Sequence, residues 1–210
     1  ELGVTVGLSF PRFILPFNLS TRNINMPRTK VELSYNYQDR PYYRRDLSRA
    51  TWTYSWRSMN GRYNYQLRPI DINWINVGYI DENFFASLQN EYLRQSYLTQ
   101  AIVGLSGSYT YNNQNKHIGG NATLLRINFE SAGNLLNLLE RGFSHKTAEG
   151  YYNILGVRYS QYLRGDVSLS RKIVLGERSA IAGRIFAGVG VPYGNSTALP
   201  FDRLFYVGGS

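Results

Sequence analysis

Residues that commonly do catalytic chemistry are scarce in this sequence. His117 and His145 are the only histidines, and neither stands beside an Asp, Glu or Ser pattern that would form a general base or a nucleophile. The chain has no cysteine, which excludes a disulfide scaffold and the common thiolate metal sites. We therefore expect no catalytic residue, no metal site and no cofactor, and we predict that the protein is not an enzyme.

Four glycines near the C-terminal end could suggest a phosphate-binding loop. Gly183, Gly188, Gly190 and Gly194 do not form such a fingerprint, because no helical pattern follows them. Glycine inside a strand more often permits a bend or the close approach of a neighbour. We predict that role for them.

The formal net charge of +9 raises the question of a nucleic-acid partner, because clustered Lys and Arg neutralise phosphates. Here the basic residues are scattered at alternate positions and form neither a run nor a stripe. We therefore predict no nucleic-acid binding. A basic lumen, or contact with anionic lipid headgroups, is the preferred explanation of the charge.

Eight segments alternate apolar and polar residues with a period of two, which a β-strand produces and a helix does not. They cover approximately residues 2–10, 29–38, 45–58, 62–77, 99–111, 118–131, 157–175 and 184–191. In the fourth segment the phase slips at Pro69, where we expect a β-bulge. No apolar run reaches the roughly 18 residues that a membrane helix needs.

One face of these strands is polar and carries charges of both signs. The candidate lumen-facing residues are Arg126, Arg158, Arg164, Arg184, Glu130 and Asp166, with Glu32, Asp71, Arg49 and Arg57 on the same face. Because a buried unpaired charge is costly, a packed interior should pair the carboxylates with cations, whereas a wet interior should solvate them. We expect this structural role, with a direct role in conduction or gating as the alternative.

The connections between the strands alternate in length. Short turns such as 59–62 and 176–179 fall between long connections at 78–98 and 132–156, although residues 14–28 break this rule. Short helices are predicted within 81–93 and 133–141. Tight turns at one end, long loops at the other and 15% aromatic residues are typical of an outer-membrane barrel. We predict an all-β, antiparallel transmembrane β-barrel, with the loop that begins near Tyr193 outside the cell.

The C-terminal stretch carries several fixed spacings at once. Arg184 and Gly188 lie on the last strand, and the residues after it are Leu199, Pro200, Phe205, Gly208 and Gly209. This pattern resembles the end of a rising strand and the lid loop of the BamA and TamA superfamily of outer-membrane assembly barrels, the bacterial surface antigens. Residues 26–29 and 35–43 resemble the version found in Bacteroidetes-type bacteria.

The resemblance implies a sixteen-stranded barrel with its lid loop after the eleventh strand. Residues 1–210 would then be the fourth to eleventh strands of one transmembrane barrel domain, a partial barrel that ends at the start of the lid loop. A lid loop folds back into the lumen, and its motif here would be Leu199, Pro200, Phe205, Gly208 and Gly209. The alternative for this segment is an ordinary external loop with glycine flexibility.

The function implied by the resemblance is the insertion and folding of outer-membrane proteins, or the export of envelope components, without bond chemistry. The expected location is the outer membrane of a Gram-negative bacterium. Expected partners are the lipid bilayer and lipopolysaccharide, client β-barrel proteins and accessory envelope proteins. One alternative is a passive porin or small structural barrel. A lipid-modifying membrane enzyme is another, and the two isolated histidines argue against it.

Overall fold

A computed structural model of the chain describes residues 1–15, 24–89, 93–94, 97–114, 120–140 and 151–205. Its main feature is one antiparallel sheet of eight strands in the order β1-β2-β3-β4-β5-β6-β9-β10. The strands of this sheet are β1 Leu2–Phe10, β2 Ile24–Arg40, β3 Tyr43–Ser58, β4 Tyr63–Ile80, β5 Gln100–Asn112, β6 Ala122–Ala132, β9 Tyr162–Gly176 and β10 Ser179–Pro192. The all-β, antiparallel part of the prediction is confirmed. The sheet is open, with β1 and β10 as its edges.

The predicted bulge at Pro69 is confirmed. The pairing of β4 with β5 is regular up to Arg68 and shifts before Asp71. Proline lacks the N–H that a central strand needs for its ladder, so the extra residues are accommodated at that point. The shift keeps apolar side chains such as Leu67 and Ile72 on one face of the sheet, although an odd number of positions, five, separates them along the chain.

One predicted strand is divided. The segment predicted at 157–175 begins as β8 Val157–Arg158, which pairs with β7 Asn153–Ile154 in a separate two-stranded hairpin. The sheet strand β9 begins only at Tyr162. Between them Tyr159 forms a parallel bridge to Ala101 on β5. The prediction that Arg158 and Arg164 lie on one continuous strand was therefore wrong.

The two predicted loop helices are present. The first is α1 Glu82–Ser87, which begins where the Asp81 carboxylate accepts a hydrogen bond from the N–H of Phe84. The second is α2 Asn134–Glu140. In an antiparallel meander alternate connections lie at the same end, so α1, α2 and the β7–β8 hairpin share one end of the sheet. Short turns after β3 and β9 lie at the other end.

The two faces of the sheet differ in chemistry. One face, here called the apolar face, exposes large aliphatic side chains on edge and central strands alike. They include Val4, Val6, Leu8, Leu33, Leu67, Ile70, Leu105, Ile127, Leu163, Val167, Ile185 and Val189. The opposite, polar face holds the charged residues and a small buried cluster of Ile75, Ile102, Ala132, Tyr162 and Leu199. No helix among the described residues is long and apolar enough to cross a membrane.

Candidate functional site

After β10 the chain turns back and lies across the polar face. We call residues 193–205 the lid segment. Leu199, which is 8% exposed, packs into the buried cluster beside Ile75, Ile102 and Tyr162, and Leu204 packs against the same cluster. Pro200 is buried next to it, at the start of a single turn of 3-10 helix, Phe201–Arg203. The only sizeable apolar cluster of the polar face is thus completed by the lid segment, within the part of the chain that the structure describes.

Two glycines on β10 make room for the lid segment. A Cβ at Gly188 would lie 2.6 Å from Cζ of Phe205, and a Cβ at Gly190 would overlap the side chain of Leu199. Real side chains do not approach that closely, so any side chain at either position would have to displace the residue above it. The expectation that glycines permit the close approach of a neighbour is confirmed for Gly188 and Gly190, whereas a Cβ at Gly183 would meet nothing within 4 Å. Phe205 also meets Phe186 edge-on, with ring centroids 5.7 Å apart.

The beginning of the lid segment, which we call its root, is held by Asn195. This side chain is 3% exposed, and its Oδ1 accepts a hydrogen bond from the N–H of Tyr152 at 2.7 Å. Its Nδ2 donates to the carbonyl oxygens of Tyr152 and Tyr159, at 2.9 and 2.8 Å. Every polar atom of the side chain therefore has a protein partner, which compensates its burial.

Neighbours reinforce the root. The guanidinium of Arg158 donates to the Asn195 carbonyl oxygen at 2.8 and 3.1 Å, and its carbon lies 3.6 Å from the ring centroid of Tyr151. Gln161 Oε1 accepts from the N–H of Asn195 at 3.0 Å. Gly194, with φ +60°, sits so close to Gln161 that a Cβ would overlap its amide. Arg158 thus lies on β8, outside the eight-stranded sheet, and its side chain binds the root.

The far end of the lid segment, its tip, is held by charge. Arg203 Nε lies 3.1 Å from Oε1 of Glu130 on β6, an ion pair without hydrogen-bond alignment at Nε. The same Oε1 accepts from the hydroxyl of Tyr162 at 2.6 Å, and Arg164 lies 3.9 Å from Oε2. Burial lowers the pKa of Arg203, but Glu130 and Tyr162 raise it by more, so the guanidinium stays charged.

A cation–π contact adds to the tip. The guanidinium carbon of Arg164 lies 4.2 Å from the ring centroid of Phe205. Arg164 also lies 3.7 Å from Asp166, whose carboxylate accepts a hydrogen bond from Asn128 at 2.7 Å. Three of the predicted lumen-facing residues, Glu130, Arg164 and Asp166, are therefore brought together beneath the tip.

The remaining predicted residues are more dispersed. Arg184 is exposed on β10 and donates to the Ser168 hydroxyl at 3.0 Å, while Arg126 is exposed on the polar face. All four predicted inward carboxylates have a cationic neighbour, as a packed interior requires: Lys30 beside Glu32, Arg49 beside Asp71, Arg203 and Arg164 beside Glu130, and Arg164 beside Asp166. Gly208 and Gly209 of the lid motif, and both histidines, lie outside the described residues.

Sequence reasoning missed Asn195, Gln161, Arg203 and Tyr162 as parts of the site. Asn195 follows a glycine in a polar turn, where such a residue is ordinary. Its role depends on chain segments more than thirty residues away, so no local pattern signals it. The sequence signal for Arg203 was its position, three residues after Pro200 of the predicted lid motif.

The assembled site has the chemistry of a docking contact. Among the described residues, no three His, Cys, Asp or Glu side chains gather as metal ligands would. What the geometry provides is a segment seated on glycines, fixed at one end by the buried side chain of Asn195 with added hydrogen bonds from Arg158, and at the other end by ion pairs. Comparisons with protein-family models, with curated proteins and with solved structures give no match, so this geometry and the sequence carry the functional argument.

Proposed function

We propose that this chain is part of the wall of a bacterial outer-membrane β-barrel that inserts and folds other outer-membrane proteins, or exports envelope components. The lid segment is the part of the barrel that occupies and gates its interior. No bond chemistry and no cofactor is involved. The clients are unfolded β-barrel proteins, and the surroundings are the bilayer and lipopolysaccharide.

The apolar face supports contact with lipid. An exposed surface of aliphatic side chains that runs from β1 to β10 is far larger than the patches that water-soluble monomers expose. A sheet with one aliphatic and one polar face is what a transmembrane barrel wall requires. The apolar face would meet hydrocarbon, and the polar face would meet the lumen.

Aromatic clusters at both ends of the sheet support the same orientation. Near the short turns, Trp56 stacks on Tyr65 at 5.3 Å and Tyr65 meets Tyr109 at 5.5 Å. At the opposite end, Tyr42 stacks on Phe84 at 5.3 Å. Tyr and Trp collect at the two membrane–water interfaces, so the clusters would mark the two boundaries of the bilayer.

The connection after β1 also contributes to the aromatic cluster at the end of the sheet that has the short turns. Phe13 packs edge-on against Tyr54 and Trp56, and the Tyr54 hydroxyl donates to the carbonyl oxygen of Ile14 at 2.7 Å. The described part of this connection therefore covers aromatic side chains at the end with short turns. We therefore propose that this long connection lies at the membrane–water interface.

Strand lengths fit a tilted crossing. About 9 to 11 residues cross a bilayer as a tilted strand. The β2, β3 and β4 strands have 17, 16 and 18 residues. They would cross the hydrocarbon and extend beyond it at the end that carries α1.

The observation that carries the proposal is the docking of the lid segment on the glycines of β10. Leu199 and Phe205 lie where the sequence resemblance expects a lid, on the polar face and over Gly190 and Gly188. A passive porin would not require glycines on β10 over which an interior segment docks. A passive porin remains the second candidate because an open polar recess of about 400 Å³ lies beside the tip.

Cysteine labelling tests whether the apolar face of the sheet contacts lipid. The chain contains no cysteine, so introduced thiols are unique in it. In native membranes, Val167→Cys on the apolar face should react with a lipid-soluble maleimide and resist a charged one. Ser108→Cys, which lines the polar recess, should react with the charged reagent. Equal rapid labelling of both by the charged reagent would rule out lipid contact.

Depletion of the full-length protein in its own bacterium tests the activity. Quantitative proteomics of the outer membrane should show a broad fall in β-barrel proteins if the protein is a general insertase. Constant barrel levels with changes in other envelope components would favour the export route. A change in small-solute uptake alone would contradict the assembly proposal and favour the porin.

A further inference from the structure

The polar recess beside the tip is formed where strand β5 carries small side chains. Along the recess the polar-face residues of this strand, Ser106, Ser108 and Thr110, are small, whereas the flanking strands β4 and β6 carry long side chains such as Arg68 and Arg126. The result is a trough of about 400 Å³ with a floor of hydroxyl groups. Its rims carry Arg68 and Arg126, and Arg203 of the lid segment closes one side.

The carboxylates around the trough already have cations. Asp71 receives two hydrogen bonds from Arg49, at 3.2 and 3.0 Å. Glu130 and Asp166 are occupied by Arg203 and Arg164. No acidic group of the trough is therefore left to neutralise a further cation.

Arg68 and Arg126 have no carboxylate partner among the described residues. The one acceptor for Arg68 there is the neutral amide of Gln66, 3.0 Å from Nη2 when its oxygen is turned toward the guanidinium. Arg126 is exposed to the trough and faces no acceptor within hydrogen-bond distance in the described part of the chain. Among the described residues, the trough therefore carries two positive charges that no carboxylate balances.

We propose that this trough binds a phosphate-bearing ligand, held by Arg68 and Arg126 with the hydroxyls of Ser108 and Thr110. Guanidinium groups bind phosphate through forked, charge-assisted hydrogen bonds. A ligand with two or more negative charges would balance the two guanidiniums. A free diphosphate and the phosphate headgroup of a lipid share this chemistry. The inference depends only on the polar face, so it stands apart from the assembly activity.

The test is titration calorimetry on the purified full-length protein with inorganic pyrophosphate as the probe. Saturable binding is expected, and Arg126→Gln and Arg68→Gln should each weaken it about tenfold or more. The matched control is Arg184→Gln, since Arg184 is an exposed polar-face arginine on β10 that does not line the trough. The control should bind within about twofold of the unmodified protein.

Competition distinguishes the two sources. Displacement of pyrophosphate by a soluble short-chain phosphatidic acid at a lower concentration than by free phosphate would assign the trough to a lipid headgroup, and the reverse order would assign it to a free phosphate compound. Circular dichroism spectra of the two trough variants should match the unmodified protein, because neither arginine holds a structural carboxylate. Absence of saturable binding, or an equal loss in Arg184→Gln, would overturn the proposal.

Discussion

The root and the tip of the lid segment are attached to the sheet by different kinds of interaction. At the root, the neutral side chain of Asn195 is buried and bonds to backbone groups of the loop before β9. At the tip, Arg203 and Phe205 rest on Glu130, Arg164 and Gly188, and the side chain of Arg203 is 21% exposed.

This difference has a mechanical consequence. Neutral buried hydrogen bonds are insensitive to salt, and breaking one leaves an unsatisfied group that costs about 1–3 kcal/mol. Partly exposed ion pairs contribute less and are weakened by screening. We therefore expect the tip to leave the polar face while the root stays in place, so that the lid segment swings about residues 193–196.

The largest effect is expected from Asn195→Ala. The change removes the three hydrogen bonds from the side chain to the N–H of Tyr152 and the carbonyl oxygens of Tyr152 and Tyr159, at a cost of about 3 kcal/mol. Hydrogen–deuterium exchange of the full-length protein should accelerate both in 151–161 and throughout 193–205, because root and tip are released together.

Asn60→Ala is the matched control for the root. The Asn60 side chain likewise bonds to nearby groups, accepting from the Ser58 hydroxyl and the N–H of Arg62, but it is exposed in the turn after β3. Water replaces those partners, so the cost should stay below about 1 kcal/mol. If Asn195→Ala accelerates exchange no more than Asn60→Ala, the root is not the anchor.

Gly188→Val should release the tip alone. The new Cβ would meet the ring of Phe205 at 2.6 Å, and the overlap costs about 1–3 kcal/mol unless the ring moves away. Exchange should accelerate in 201–205 and remain unchanged in 193–196. The control is Gly183→Val on the same strand, where a Cβ would meet nothing within 4 Å. Equal acceleration in both variants would show that the position of Phe205 does not depend on the absence of a side chain at Gly188.

Much of the sheet could be predicted because its cause is local. Side-chain alternation defines the two faces, and Pro69 disrupts the ladder wherever it stands in a central strand. The helices after β4 and β6 follow from apolar residues at helical spacing. The glycines under the lid segment could be predicted as places of close approach, although not what approaches them.

The rest depends on contacts between distant parts of the chain. Residues 159–161 continue the alternation of β9, and the strand is interrupted because Tyr159 pairs with Ala101 and Gln161 bonds to the root. Arg158 accordingly lies on β8, outside the eight-stranded sheet. Arg203 meets Glu130 only because the lid segment turns back. No pattern within one segment contains that information.

The smallest effect is expected from Glu130→Gln. Glutamine keeps the shape and an acceptor for the Tyr162 hydroxyl, but it removes the negative charge beside Arg203 and Arg164. The tip should lose about 1–2 kcal/mol, because both cations remain partly buried with less compensation. Exchange in 201–205 should rise modestly, with no change in 193–196.

Salt separates this charge effect from a loss of packing. Raising the salt concentration from 0.1 M to 1 M shortens the screening length from about 10 Å to about 3 Å. It should accelerate tip exchange roughly threefold in the unmodified protein and in the control Glu177→Gln, an exposed carboxylate in the turn after β9. In Glu130→Gln the acceleration by salt should disappear, because the attraction that salt screens is already gone. A salt response that persists in Glu130→Gln would mean that the tip is held by its apolar contacts, and the root and tip would then differ in burial alone.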